Sequence, residues 1–299
     1  MAEPRPGQVT DRGVGPEPVP GVPAQVADGV VRLTAPNPSM MTGPGTNTYL
    51  VGHERLVVID PGPELPEHRS ALVEAIAGRE VSLIAVTHNH PDHAPGAAKL
   101  AQVLGAPVAG FADGDGFVAD HHLSDGELVG AGHSALRVIH TPGHASVHVC
   151  FVLVAQGLCF TGDHVMGGST VVIRPPDGHM GLYLANLARL RDLDPALEHL
   201  APGHGRLLAD PVSVIDEVLA HRLAREEMVA AQLSRSGPAT AGELTAASYP
   251  GLEERRGAVA TATLLAHLDH LVELGRARRL SETELGDLDG VYEAVAQEA

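Results

Sequence analysis

Short apolar runs and helical patterns alternate through the first two-thirds of the chain. The runs at residues 30–35, 46–52 and 55–60 are bounded by Gly, Pro or Asn, which is typical of strands. Residues 67–78 and 96–105 instead repeat apolar side chains at helical spacing. This alternation of strands with helices predicts an α/β sandwich.

A different pattern begins near residue 211. Residues 211–235 predict one long amphipathic helix, which starts with Pro and stops at a Gly-Pro pair. Thr240 and Glu243 have the spacing of a capping box at the start of a shorter helix. A second helix over residues 257–275 precedes a strand over residues 276–280. The order helix, turn, helix and strand predicts a small winged-helix-like domain.

These patterns divide the chain of 299 residues into three parts. Residues 1–28 carry many Pro and Gly and few large apolar side chains, which predicts a disordered tail. Residues 29–210 form the α/β domain, and residues 211–299 comprise the long helix and the winged-helix-like C-terminal domain. The length suits one large domain with a small one appended.

The charge balance excludes a protein that holds nucleic acid on a broad basic surface. Lys and Arg total 20 against 37 Asp and Glu, a formal net charge of −17. Residues 238–299 carry five arginines and eleven acidic residues, so strong binding of double-stranded DNA is not expected. Within this domain, the cluster of Arg276, Arg278 and Arg279 is the candidate for nucleic-acid contact.

The chain contains no segment that predicts membrane contact or export. Its first residues lack the apolar region of a signal peptide. No run approaches the roughly 18 apolar residues that a membrane helix needs. Cys150 and Cys159 lie in apolar runs and are expected to be buried, reduced thiols. We therefore expect a cytoplasmic protein.

Histidine is unusually frequent, with 18 in the chain, and several fall together. His88, His90, Asp92 and His93 lie within one short loop directly after a predicted buried strand. Alternate side chains of such a loop can converge on one point. Imidazole nitrogens and carboxylate oxygens are ligands of zinc in catalytic sites. The H-x-H-x-D-H spacing therefore predicts a metal site.

Three further candidates each follow a predicted strand. His144 lies in a Pro-Gly turn, Asp163 follows an apolar run, and His204 lies between two glycines. Each alone would be an ordinary turn residue. Together with the His-rich loop, they support a common metal site.

In these segments the chain resembles the metallo-β-lactamase-fold hydrolase superfamily. The resemblance covers about residues 29–210 and depends on VVIDPG (57–62), THNHPDH (87–93), TPGH (141–144), TGDH (161–164) and PGHG (202–205). It implies an αββα sandwich with the site at one edge of the two sheets. Common secreted β-lactamases have Arg where His93 stands and a later cysteine ligand, so an antibiotic-degrading role is disfavoured. His90 argues against the iron-dependent redox members.

The resemblance also implies a ligand set and cofactors. The first metal would be held by His88, His90 and His144, the second by Asp92, His93 and His204, with Asp163 bridging both. Asp60 would steady the ligand loop, or it is a turn residue at a strand end. The cofactors would be two Zn²⁺ per chain, with Mn²⁺ or Fe²⁺ as alternatives because they accept the same ligands.

Such a site implies hydrolysis. Two cations about 3.5–4 Å apart can share one water and ionise it at neutral pH. The bridging hydroxide would attack an electrophilic centre, and Asp92 is the candidate catalytic residue that orients it and carries a proton, or is a ligand only. Two Zn²⁺ exceed the charge of Asp92, Asp163 and a hydroxide by one, so an anionic or ester-type substrate is expected.

Three more residues are candidates for contact with the substrate or the ligands. Asn47 and Thr48 lie in a segment that resembles the strand at the mouth of the site, where they could contact substrate or make strand-end hydrogen bonds. His164 follows Asp163 directly and could support the ligands or contact substrate.

The order of the domains resembles the β-lactamase-like protein 2 subfamily, whose mitochondrial member is an endoribonuclease on single-stranded RNA. The first hypothesis is therefore a zinc-dependent hydrolase that acts on single-stranded RNA. The enzymatic alternative is a thioester hydrolase similar to glyoxalase II, which the single lysine, Lys99, weakens. The non-enzymatic alternative is a winged-helix regulator that binds nucleic acid and keeps metal as a structural element, which the acidic C-terminal domain disfavours.

Overall fold

The computed structural model describes residues 9–114, 116–130, 132–251, 253–281 and 286–295. Two seven-stranded sheets lie face to face. The first sheet, in spatial order, consists of β2 (Ala24–Ala27), β3 (Val30–Thr34), β4 (Asn47–Val51), β5 (Arg55–Ile59), β6 (Glu80–Ala85), β7 (Val108–Gly110) and β8 (His121–His122). The second consists of β1 (Gly13–Val14), β14 (Leu207–Ala209), β13 (His199–Pro202), β12 (Leu158–Gly162), β11 (Val149–Leu153), β10 (Leu136–His140) and β9 (Leu128–Val129).

Helices cover the outer faces of both sheets. The helices are α1 (Pro66–Ile76), α2 (Gly96–Leu104), α3 (Met180–Arg191), α4 (Pro211–Ser236), α5 (Ala241–Ser248) and α6 (Glu254–Glu273). Apolar residues of α1 and α2 pack on the first sheet, and those of α3 and α4 pack on the second. The expected αββα sandwich is confirmed.

The side-chain alternation of β5 shows why the sequence folds into layers. Val57 and Ile59 belong to the core between the two sheets, whereas Leu56 and Val58 pack towards α1 and α2. Because neighbouring side chains of a strand point to opposite faces, a continuous apolar run is buried on both sides. β5, β6 and β7 are parallel, and α1 and α2 are the helices that connect them.

The C-terminal region is built on the long helix α4. A small antiparallel sheet of β15 (Ala239–Thr240), β17 (Val291–Ala294) and β16 (Ala277–Arg279) joins α5 and α6 around a separate apolar core. The capping box is present at the start of α5, where the Thr240 hydroxyl accepts from the backbone of Glu243, whose carboxylate accepts from the backbone of Thr240. The region contains the expected helices, and its assignment as a winged-helix domain stays a prediction.

The prediction of a disordered tail is wrong for residues 9–28. Val9 is buried among the residues of α3 and α4, and Arg12 forms an ion pair with Glu217 of α4 at 2.6 Å. β1 pairs with β14, and β2 pairs with β3. Both segments lie at sheet edges, where Pro and Gly are tolerated because one side of the backbone needs no partner. Residues 1–8 lie outside the described residues.

The core between the sheets should supply much of the stability. Phe160 is 1% exposed, and its ring lies 5.0 Å from that of Tyr49 across the two sheets. Phe160→Ala is expected to lower the free energy of unfolding by about 3–5 kcal/mol because a large cavity remains. Val118→Ala, at a residue that is 75% exposed, should change it by less than about 0.5 kcal/mol.

Urea unfolding of both variants in the same chelator-containing buffer measures this difference. An equal effect of the two substitutions would contradict the placement of Phe160 in the core.

Candidate metal centre

The candidate ligands come from loops at one edge of both sheets. His88, His90, Asp92 and His93 lie in the loop between β6 and α2 of the first sheet. The loops after β10, β12 and β13 of the second sheet carry His144, Asp163 and His204. The structure therefore brings all seven candidate residues together, from sequence positions more than 100 residues apart.

His88, His90 and His144 form one compact group of ring nitrogens. Nδ1 of His90 lies 3.0 Å from Nε2 of His88 and 3.0 Å from Nε2 of His144. Burial lowers the pKa of all three histidines. For His90, burial and the neighbouring ring of His144 lower the pKa to about 4. Three neutral imidazoles whose nitrogens face one point are a typical donor set for a divalent metal.

Asp92, His93 and His204 form a second group. Nε2 of His204 lies 3.3 Å from Oδ2 of Asp92, and Nε2 of His93 lies 3.5 Å from the same oxygen. Burial alone would lower the pKa of His204, but Asp163 and Asp92 outweigh it and raise that pKa to about 9. For His93, burial is likewise outweighed by Asp163 and Asp60, which raise its pKa well above the usual value.

Asp163 lies between the two groups. Its Oδ2 is 3.7 Å from Nε2 of His144, and its Oδ1 is 3.3 Å from Nε2 of His204. Burial would raise the pKa of Asp163, but His93 and His204 lower it well below its usual value. This position matches the bridging role that the resemblance implies.

Two buried atoms at the centre have no hydrogen-bond partner among the described residues. They are Nε2 of His93 and Oδ1 of Asp163, which lie 3.5 Å apart. A buried polar atom without a partner costs free energy of folding. A cation between the nitrogen and the oxygen would be a partner for both atoms. The five imidazoles and two carboxylates therefore fit a pair of divalent metal ions.

Asp60 supports the ligand loop from behind. Its two carboxylate oxygens accept hydrogen bonds of 2.7 Å from the backbone N–H and the hydroxyl of Thr87, and Oδ2 lies 2.8 Å from Nδ1 of His93. Asp60 adopts φ 49°, a left-handed conformation that Asp and Asn tolerate better than most residues. This contact fixes the ring of His93 so that Nε2 faces the centre.

Three further contacts support the candidate ligands, and the sequence did not predict them. Nδ1–H of His144 donates to the carbonyl of Val172 at 2.7 Å, and Nε2 of His148 accepts from the backbone N–H of Asp163 at 3.2 Å. The hydroxyl of Thr46 lies 3.5 Å from Oδ2 of Asp92. His148 directly precedes the apolar strand β11, and its place in the sequence is that of an ordinary core residue.

The structure does not support substrate contacts of Asn47, Thr48 and His164. All three are fully buried and do not line the cavity at the site. The hydroxyl of Thr48 donates to the carbonyl of Asp60 at 2.7 Å, and the amide of Asn47 donates to the carbonyl of Gly205 at 2.9 Å. They make the strand-end hydrogen bonds that were the alternative. His164 lies behind Asp163, and burial lowers its pKa to about 3.

A cavity of about 770 Å³ opens onto the site. Its walls include Asp92 and Asp163 of the metal centre and apolar side chains such as Met41, Met166 and Leu264. Helices α4 and α6 of the C-terminal region supply part of this wall. A ligand at the metal centre would therefore contact both parts of the chain.

Two arginines of the cluster that was the candidate for nucleic-acid contact, Arg276 and Arg278, form ion pairs away from the cavity. Arg276 forms an ion pair with Glu227 at 2.7 Å, and Arg278 forms one with Glu293 at 2.6 Å. Neither arginine lines the cavity, whereas Arg222 and Arg225 of α4 do. The sequence signal for these two was their spacing of three residues on a predicted helix next to His221.

Residues 41–204 match the family model described as the metallo-beta-lactamase superfamily. The chain belongs to this superfamily. It is 32% identical to a lactamase-like protein of Aspergillus niger over an alignment of 215 residues. This alignment covers 71% of this chain and 66% of that protein. It is also 30% identical to an atrochrysone carboxyl ACP thioesterase of Aspergillus novofumigatus over an alignment of 225 residues. This second alignment covers 73% of this chain and 68% of that protein. The match thus spans about two-thirds of the length of these relatives.

The fold extends to the C-terminal region in a solved relative. A metallo-beta-lactamase family protein of Thermus thermophilus superposes with a TM-score of 0.74 at 26% identity, over 90% of this chain and 99% of that protein. Superfamily membership and relatives named as thioesterases indicate that the chain is a hydrolase. Among the described residues, no helix is long and apolar enough to cross a membrane.

The support from Asp60 is testable. Asp60→Asn keeps a residue that tolerates the left-handed backbone but removes a charged acceptor from Thr87 and His93. We expect the zinc affinity to fall about 10–100-fold, the usual loss when a residue behind a metal ligand is changed. Competition with a chromophoric chelator measures the affinity. Asp216→Asn, on the exposed side of α4, is the control, and equal affinities in both variants would contradict the role of Asp60.

Proposed function

We propose that the protein is a metal-dependent thioester hydrolase with two Zn²⁺ ions at the His/Asp centre. The observation that carries this proposal is the cavity, which joins the candidate ligands to a largely apolar wall. Such a cavity suits an acyl group attached through a thioester better than a nucleic-acid backbone, which binds along open basic grooves. The relatives named as thioesterases support the same reaction class.

The ions would activate a water molecule and polarise the thioester carbonyl. Asp92 lines the cavity, and its Oδ2 could accept the proton of the attacking water. Burial would raise the pKa of Asp92, but the hydrogen bond with His204 and the nearby His93 lower it, so the carboxylate is ionised and able to accept. The apolar wall would hold the acyl chain and exclude bulk water.

Cleavage of single-stranded RNA, the first hypothesis from the sequence, finds less support. Arg276 and Arg278 are paired with carboxylates, and the cavity wall is mostly apolar. Relatives of the chain in two Aspergillus species are named as a lactamase-like protein and a thioesterase. The thioester hydrolase that was the alternative is therefore the better proposal.

A direct assay tests the reaction. Purified zinc-loaded protein should release thiol from S-acyl N-acetylcysteamine, and a chelator should abolish this release until zinc is restored. Asp163→Ala should lower kcat by about 1,000-fold or more, because the loss of a bridging ligand removes several kcal/mol of transition-state stabilisation. The exposed Asp216→Ala should retain full activity.

An end-labelled single-stranded RNA is offered to the same preparations. RNA cleavage by the wild type but not by Asp163→Ala, without thiol release, would overturn the thioesterase proposal in favour of the nuclease. Thiol release that persists in Asp163→Ala or in chelator would contradict the two-metal site.

A further inference from the structure

Part of the cavity wall is positively charged and has no carboxylate to balance it. Arg222 and Arg225 lie three residues apart on α4, and both line the cavity. No described carboxylate forms an ion pair with either of them. By contrast, Arg276 and Arg278 of the same region are both paired. This difference distinguishes Arg222 and Arg225 from the paired arginines of the C-terminal region.

Arg222 is the more unusual of the two. It is 2% exposed, donates to the carbonyl of Val171 and lies over the ring of Tyr183, 5.4 Å from the centroid. Its Nε has no hydrogen-bond partner among the described residues. A buried guanidinium without a counter-charge costs free energy, and an anion from outside the chain would offset that cost.

His267 of α6 adds a second unpartnered group to the same wall. Its side chain is fully buried, and Nδ1 lies 3.3 Å from the carboxylate of Glu226. Its other nitrogen, Nε2, has no partner among the residues that the structure describes. Because the carboxylate of Glu226 accepts from Nδ1–H, Nε2 of the neutral ring is an acceptor, and an anion at this wall must be held by the arginines.

Arg225 lies closer to solvent. It is half-buried, and its guanidinium lies over the ring of Tyr249, 5.0 Å from the centroid. Burial and the neighbouring Arg222 lower the pKa of Arg225, as expected for two like charges that share one space. An anion placed between the two arginines would relieve this repulsion.

We propose that Arg222 and Arg225 form an anion subsite for the phosphate of the substrate's thiol arm. The inference rests on the proposed thioester hydrolysis. Guanidinium groups bind phosphate through paired, directional hydrogen bonds. The phosphate of a pantetheine arm is the anion that thioesters of coenzyme A and of acyl carrier proteins have in common. The subsite thus selects for acyl groups on phosphopantetheine.

Kinetics with matched substrates test the subsite. One acyl group is attached to N-acetylcysteamine, which is neutral, and to pantetheine 4′-phosphate. Arg225→Gln should raise KM for the phosphorylated thioester about ten-fold or more, with kcat within two-fold, because a hydrogen bond to a charged group is lost. KM for the neutral thioester should stay unchanged. Arg235→Gln, at the exposed end of α4, should leave both KM values unchanged.

Arg225→Lys controls for a loss of packing over Tyr249. It keeps the charge and should recover part of the affinity for the phosphorylated thioester. The coenzyme A thioester is the third substrate. An Arg225→Gln effect that is confined to coenzyme A would assign the site to the nucleotide phosphates and overturn the pantetheine phosphate assignment. An equal rise in KM for the neutral thioester would overturn the anion subsite.

Binding without turnover separates this inference from the proposed function. S-methyl pantetheine 4′-phosphate and S-methyl pantetheine have no free thiol to bind metal, and each is titrated into the protein by calorimetry. The phosphorylated compound should bind about ten-fold tighter or more to the wild type and lose this advantage in Arg225→Gln. This result would support the subsite even if no thioester were hydrolysed. Equal binding of the two compounds to the wild type would overturn it.

Discussion

The candidate centre depends on how the two sheets are locked together at one edge. Four of its residues come from the first sheet and three from the second, so a small slip between the sheets would separate them. Asn47 of β4 prevents this slip: its side-chain amide donates to the carbonyls of Pro202 and Gly205, and its backbone N–H donates to the carbonyl of Gly203. The hydroxyl of Tyr49 donates to Pro202 at 2.7 Å. Buried polar groups that are fully paired fix one arrangement, which an apolar contact would not.

The electrostatics of the centre differ between its two halves. Burial keeps the first three histidines neutral, whereas Asp163 and Asp92 hold His204 in its charged form. In the half that carries the carboxylates, Nε2 of His204 lies 3.3 Å from oxygens of both Asp92 and Asp163. The carboxylates raise the pKa of His204 and His93, whereas burial lowers the pKa of the three histidines in the first group, and a metal needs neutral imidazoles as ligands. The two halves are thus expected to differ in how strongly acid competes with the metal.

The sequence predicted that the candidate ligands lie together, but it did not predict the residues of the cavity wall, for a physical reason. His88, His90 and Asp92 are close in sequence, and the loop after a buried strand must place them at the sheet edge. The roles of Asn47 and Thr48 could not be decided in the same way. A polar side chain at a strand end can point to solvent, or it can form a hydrogen bond with the backbone of a neighbouring segment. The error for residues 9–28 has a related cause, since composition reports side-chain burial and not the hydrogen bonds of an edge strand.

The arginines show most clearly what a single sequence leaves open. Arg276 is paired with Glu227, 49 residues earlier in the chain, and only the fold brings them together. On α4, Glu227 contacts Arg276, and Glu226 contacts α6. Arg222 and Arg225 of the same helix line the cavity. Two turns of one helix therefore contact three different parts of the structure. The family motifs supply the candidate metal ligands, whereas the proposed recognition of the substrate involves the side of α4 that meets the cavity.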